Sequence, residues 1–447
     1  MRDIATIAAR LDSGASSRAL VDECLGRIKD PAGEGPRAFL KVHADDALAA
    51  AAIHDKLRLK GSATSRFAGI PVSIKDLFDI AGDVTTAGST ALRGAPPAKR
   101  DATAVARLRA AGFVPIGRTN MTEFAFSGLG LNPHYDTPRN PYDRATGRIP
   151  GGSSSGAAVS VTDGMAIAAL GTDTGGSCRI PAALCGLVGF KPTAKRIPKD
   201  GVLPLSQTLD SIGPLAATVT CCATLDSVLA GIEPADLAEF PLAGLRLAVP
   251  QTVVLEGLEA HVARSFESAI SDLARAGVRI VELPVPEFAE AIEINAGGGF
   301  AAAEAYAVHR PLIKATENKY DPRVLARILR GKDISAADYI ELMWAREDLI
   351  ARLDALTFPF DALAMPTVPM IAPPLREIAT DEAYRKANSL MLRNTFLANF
   401  FDRCAISLPC NQGGAPVGLT LVGETGADRR LLALAAAVEG RVSPILA

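Results

Sequence analysis

The run Gly171-Thr172-Asp173-Thr174-Gly175-Gly176-Ser177 follows a short apolar stretch at residues 165–170, and Pro181 comes just after it, where the first turn of a helix tolerates proline. Small residues in succession at a strand-to-helix junction let several backbone N–H groups converge on one point, because no side chain stands in the way. The chemistry this permits is stabilisation of an oxyanion at Thr174, Gly175 and Gly176, with Ser177 beside them as nucleophile. The same residues also read as a tight turn with a serine N-cap. A serine needs a base to attack an acyl carbon at neutral pH. The five histidines stand singly at 43, 54, 134, 261 and 309 and read as ordinary surface or core residues. The candidate base is Lys75, near the end of the apolar run 70–74. A lysine there either snorkels at a strand edge or is desolvated, with its pKa lowered toward neutrality. Two serine-bearing glycine loops in the same half of the chain favour the second.

Other motifs fall away. Gly152-Ser153-Ser154-Ser155-Gly156 fits the pattern of a nucleophile elbow centred on Ser154. That elbow needs a strand running straight into it and a histidine on a strand-end loop. Residues 139–150 contain two prolines and read as loop, and His261 and His309 fall inside helical patterns. A phosphate-cradling G-x-x-x-x-G-K-[ST], a dinucleotide G-x-G-x-x-G after a strand and a zinc-binding H-E-x-x-H are all absent. Seven cysteines at 24, 178, 185, 221, 222, 404 and 410 include no C-x-x-C pair, so they read as reduced thiols acting as small buried hydrophobes.

The elements that must hold these residues alternate. Ile4, Ile7, Ala8 and Leu11 share one helical face, a second helix follows Ser16–Ser17, and an Ala-rich third runs from 45 to about 59; these N-terminal helices occupy residues 1–65. A strand begins near Ile70, followed by helix at 103–111, strand at 113–116 and helix at 119–126. This spacing is the α/β signature. Residues 128–152 read as loop. Farther on, strands are expected at 245–249, 278–283, 362–365 and 417–422, with helices at 258–276, 288–306 (interrupted at 297–299), 322–329, 336–356 and 429–439. Strands recur to the end, so the 447 residues form one interlocked α/β unit, with a helical lobe near 285–360. Apolar residues make up 48% of the chain and charged ones 21%, which supports a large core. A formal charge of −2 excludes the strongly basic surface of a dedicated nucleic-acid binder. Arg2, Asp3 and Arg10 interrupt any leader-like apolar core and no long uncharged apolar stretch occurs, so a cytoplasmic protein with no membrane span is expected.

The constellation is similar to the amidase signature family. The matching segments are GIPVSIKD around Lys75, IPGGSSSG at 149–156 and GTDTGGSCRIPA at 171–182, with 24 residues between Ser153 and Ser177. Similarity covers residues 69–215, the expected catalytic core, and returns more weakly in AISLPCNQGGAPVGLTLVGE near the C-terminus. The resemblance implies a single layered α/β/α unit with a central mixed sheet. It also implies Ser177 as acyl-enzyme nucleophile, Ser153 as a bridging serine after a cis peptide bond, Lys75 as the base, and no metal or organic cofactor. Ala125 matches a family position whose backbone approaches substrate, and the 124–130 loop would line the acyl side. There Gly128 and Gly130 either leave room for a bulky or aryl group or make the loop flexible. The 285–360 lobe would cover the leaving group. Ser155 stands where many members have glycine and Cys178 where an aliphatic residue is frequent; neither change removes a reactive group. The expected activity is hydrolysis of a small-molecule amide to acid plus ammonia or amine. The alternatives are a glutamine-hydrolysing subunit of a tRNA-dependent amidotransferase and a scaffold subunit that is catalytically silent. The N-terminal helices also suggest a homodimer.

Overall fold

Eleven strands join in one sheet in the computed structural model, which describes residues 3–411 and 413–443. In chain order they are β1 Phe39–Val42, β2 Pro71–Lys75, β3 Val114–Thr119, β4 Ala168–Asp173, β5 Val188–Lys191, β6 Ser211–Ala216, β7 Arg246–Pro250, β8 Arg279–Leu283, β9 Ala362–Pro366, β10 Ala405–Pro409 and β11 Gly418–Val422. Their order across the sheet is β1-β3-β2-β4-β6-β5-β10-β11-β9-β7-β8. The sheet is mixed. Strands β3, β2 and β4 run parallel, the middle is antiparallel from β4 through β6, β5, β10, β11 and β9, and β9, β7 and β8 are parallel again. Every residue of β2, β3, β4, β5, β6, β9, β10 and β11 is buried. Strands enclosed in this way read as continuous apolar runs rather than as alternation.

Helices begin where their sequences supply an acceptor for the first free amides. Asp3 caps Ile4–Asp12, Ser16 caps Ser17–Lys29, Thr218 caps Val219–Ala230 and Thr380 caps Asp381–Arg393. Ser335 and Asp338 form a reciprocal capping box at the start of Ala336–Thr357. Between β8 and β9, residues 286–357 are helical throughout apart from short connections. All seven cysteines are buried. Among the described residues no helix is long and apolar enough to cross a membrane.

One element differs from the sequence expectation. Residues 119–126 are not a helix: β3 continues to Thr119, and only a three-residue 3₁₀ turn, Glu123–Ala125, follows. Phe124 and Ala125 adopt left-handed φ values of 50° and 61°. Tertiary bonds override local propensity here. Buried Glu123 accepts from Ser89 Oγ (2.6 Å) and from the Asp321 amide (2.7 Å), lies 2.8 Å from His134 Nε2, and so ties the turn to a segment some 200 residues away.

Candidate active site

Parallel pairing of β2 with β4 brings their C-terminal ends side by side, with Ile74 opposite Leu170. Lys75 closes β2, and Thr172 and Asp173 close β4. Period-2 alternation puts Lys75 on the same face as Ser73. Ser73 Oγ lies 2.8 Å from Ser160 Oγ on the helix Ser155–Thr162, so this face looks toward that helix. The helix starts directly after the first glycine loop, and the lysine is therefore carried to Ser153. Lys75 Nζ lies 2.8 Å from Ser153 Oγ and 2.7 Å from Thr172 Oγ1, and the residue has no exposed surface. Burial pushes its ammonium down to about 8, partly offset by Cys178, Asp173 and Asp210. The Gly152–Ser153 peptide is cis.

The second loop is shaped from within by Asp173. Its carboxylate accepts the amides of Gly176 (2.8 Å), Cys178 (3.2 Å) and Arg179 (3.4 Å) and a two-point contact from the Arg179 guanidinium (3.0 and 2.9 Å). Burial alone would raise this carboxyl, but Arg179 holds it down at about 2. From outside, Thr395 Oγ1 donates to the Gly175 carbonyl (2.6 Å), and Asn399 donates to Asp173 O (2.9 Å) while accepting from Arg179 (2.7 Å). Gly176 has φ +132°, and a Cβ there would come within 2.2 Å of Thr395 Oγ1, so only glycine fits. Thr174 donates its hydroxyl to Asp210 (2.5 Å), whose carboxyl is pushed up to about 6 by burial despite that bond.

Of the main-chain donors expected from the sequence at Thr174, Gly175 and Gly176, the Gly176 amide donates inward to Asp173 Oδ1. Ser177 is 3% exposed. Its carbonyl accepts from the Ser154 amide (3.3 Å), which joins the two glycine loops. No hydrogen bond links the Ser177 and Ser153 hydroxyls among the described residues; contacts of this kind often tighten only once substrate is seated. Ala125 borders a narrow space that it shares with Thr172, Thr174 and Asp210. Gly128 and Gly130 do not leave open room. A Cβ on Gly130 would meet the Gly151 carbonyl at 2.3 Å, and one on Gly128 would press on Ile180 and Leu392 at 3.1–3.2 Å, so both serve close packing. The histidines of the rejected elbow reading sit elsewhere: His261 Nε2 lies 2.9 Å from the Ala415 carbonyl and buried His309 lies 3.0 Å from Tyr320 OH.

Thr172, Asp173, Arg179, Thr395 and Asn399 were not singled out in the sequence. The first three lie within or beside the glycine motif, so their position was a usable signal. Nothing local marks Thr395 or Asn399, which arrive from about 220 residues downstream.

A family model described as Amidase matches residues 19–432. The chain belongs to the Amidase family. It is 37% identical over 433 residues to 2-amino-5-chloromuconic acid deaminase of Comamonas testosteroni, covering 95% of this chain and 92% of that protein. It is 35% identical to one subunit of the glutamyl-tRNA(Gln) amidotransferase of Chloroflexus aggregans, covering 92% of this chain and 90% of that protein. A crystal structure of an amidase superposes with a TM-score of 0.90 at 32% identity, covering 99% of this chain and all of the other. The mixed eleven-stranded sheet is thus the fold of the amidase family, and amide hydrolysis is its general chemistry.

Proposed function

We propose that this protein hydrolyses a small carboxylic amide through an acyl-enzyme on Ser177. The observation that carries the reading is the buried Lys75 amine at hydrogen-bond distance from Ser153 and Thr172, both groups able to hold or pass a proton. In its neutral form Lys75 takes the proton of Ser153, which takes that of Ser177. Ser177 Oγ bonds to the amide carbon, and the oxygen that becomes negative is met by main-chain amides of the 174–177 loop. One such donor is worth roughly 2.7–4 kcal/mol of transition-state stabilisation. The relay returns the proton to the nitrogen, the C–N bond breaks, and ammonia or an amine departs. Water then attacks the ester by the same path, releasing the acid and restoring Ser177. No step calls on a metal or organic cofactor.

A fluorophosphonate probe should label the native protein at Ser177 alone, and Ser177→Ala should lose both label and hydrolysis across a panel of aryl, alkyl and amino-acid amides. Labelling that survives in Ser177→Ala would remove the nucleophile from this scheme. A second reading, glutamine hydrolysis for a tRNA-dependent partner complex, draws support from the 35% identity to an amidotransferase component. It requires that glutamine turnover by the isolated chain rise sharply on adding cell extract.

A further inference from the structure

The segment 203–210 runs past the nucleophile loop. Leu203, Leu205 and Gln207 border the narrow space that Ala125, Thr172 and Thr174 share, and Leu209 borders a cavity of about 300 Å³ lined also by Phe126 and Leu392. Two carboxylates organise this segment, one from its own end and one from the helical lobe. Asp210, 7% exposed, accepts the Thr174 hydroxyl on Oδ1 (2.5 Å) and the amides of Leu205 (3.0 Å) and Ser206 (3.1 Å) on Oδ2. Glu304, on the helix Gly299–Thr316, accepts the Thr208 amide (3.1 Å), the hydroxyls of Ser206 and Thr208, and the Tyr339 hydroxyl (2.6 Å). Tyr339 stands on the helix Ala336–Thr357, so two helices of the lobe meet at this carboxylate. A path of hydrogen bonds therefore leads from Tyr339 through Glu304, Ser206 and Asp210 to Thr174. Thr174 lies three residues before Ser177, and the two residues between them are glycines. Its hydroxyl is thus the only hold that the loop has through a side chain of its own between Asp173 and Ser177.

Every one of these partners is a donor. A carboxylate accepts at both oxygens, whereas an amide side chain of the same shape sets an NH₂ against one of them. At residue 210 that swap either opposes the two amides or turns the Thr174 hydroxyl around. Resting on the amidase reading above, we infer that Asp210 is a positioning residue that sets Thr174 for reaction at Ser177, and that Glu304 keeps Asp210 in register by clamping residues 206 and 208 to the helical lobe. The charge of Asp210 has a separate effect. It favours the ammonium forms of Lys75 and of Lys199, whose Nζ also donates to the Asp210 carbonyl (3.3 Å). Loss of that charge moves the rising limb of the pH profile downward. Loss of position lowers turnover even where residue 75 is already neutral, so the two effects are separable.

The test uses the full chain and the best amide from the panel, with kcat expressed per Ser177 labelled by the fluorophosphonate, so that only folded sites are counted. On the plateau above about pH 9, Asp210→Asn should lower kcat about tenfold or more while KM moves by less than about threefold. Its rising limb should also lie at lower pH than that of the wild type. Thr174→Ser should keep kcat within about threefold, and Thr174→Val should lose about tenfold. A role in packing alone predicts the reverse, because valine keeps the shape of threonine and serine does not. Glu304→Gln should lose about three- to tenfold in kcat, and almost nothing more when added to Asp210→Asn, since both act along one path. Tyr339→Phe removes one of the four donors to Glu304 and should give a smaller loss of the same kind. Should Glu304→Gln fail to fold, Tyr339→Phe and the Thr174 pair decide. Wild-type kcat per labelled site in Asp210→Asn, Thr174→Val outperforming Thr174→Ser, or losses that simply add in the double variant would overturn the positioning role and leave the amidase reading in place. A wild type that hydrolyses no amide and leaves Ser177 unlabelled overturns both.

Discussion

Lys75 and Lys191 close two strands of the same sheet, β2 and β5, and burial pushes each ammonium down to about 8. Both feel the Asp173 carboxylate as a partial offset. Their immediate partners differ. Lys75 meets two hydroxyls, on Ser153 and Thr172, whereas Lys191 donates to two carbonyls, of Pro192 (2.9 Å) and Arg403 (2.8 Å). A carbonyl oxygen only accepts; a hydroxyl also has a proton to give. Lys191 clamps two chain segments together, whereas on the proposed mechanism Lys75 is one end of a proton path. A lowered pKa therefore does not mark a base by itself; what the amine touches decides.

Removing each amine in turn separates the two roles most directly. Lys75→Ala should lower kcat/KM by about 10³ or more, near the upper range for a positioned proton-transfer group, and abolish the rising limb of the pH profile. Lys191→Met should lose less than tenfold and keep that limb. In the wild type the limb should rise through about pH 8, because activity needs the unprotonated amine and the proton leaves as pH increases. If Lys75→Ala keeps the limb, another group is the base.

Asp173→Asn should come next. It leaves Arg179 buried without its anion, a defect of about 3–5 kcal/mol, read as a lower urea midpoint. By removing a negative neighbour it should also move the pH limb downward. Thr172→Val should cost roughly tenfold in kcat and shift the limb the same way, since the charged lysine loses an acceptor while the fold is kept.

The last effect concerns stability. Between about pH 8 and the ordinary lysine value near 10.5, the unfolded chain holds a proton on residue 191 that the folded chain has released. Stability gained from this residue therefore rises with pH across that window, by about 1.4 kcal/mol per pH unit. Buried thiols raised by desolvation, such as Cys178 and Cys404, act oppositely once free cysteine ionises. The lysine contribution is thus read as the difference between wild type and Lys191→Met. A difference that stays flat from pH 8 to 10 would contradict it.

The two sites also differed in how legible they were. Lys75 follows a mostly apolar run, and Ser153 and Ser177 sit in glycine loops, so residue type and order pointed to them. Lys191 sits in Val188–Lys191, four residues too short to announce a strand. Strand β6 hid for another reason: Gly213 and Pro214 in its middle are poor strand formers. The glycine is there because a Cβ would meet the Phe190 carbonyl at 2.0 Å, a contact between neighbouring strands that no local pattern encodes. The 119–126 segment went wrong similarly, since Glu123 bonds to partners that only the folded chain brings near.

The nucleophile loop is tied at Gly175, Asp173 and Arg179 to Thr395 and Asn399. A chain emerging from the ribosome thus carries all its reactive side chains long before it carries the residues that set them. On the proposed mechanism, the shape of that loop is therefore set only after the C-terminal segment carrying Thr395 and Asn399 has folded onto it.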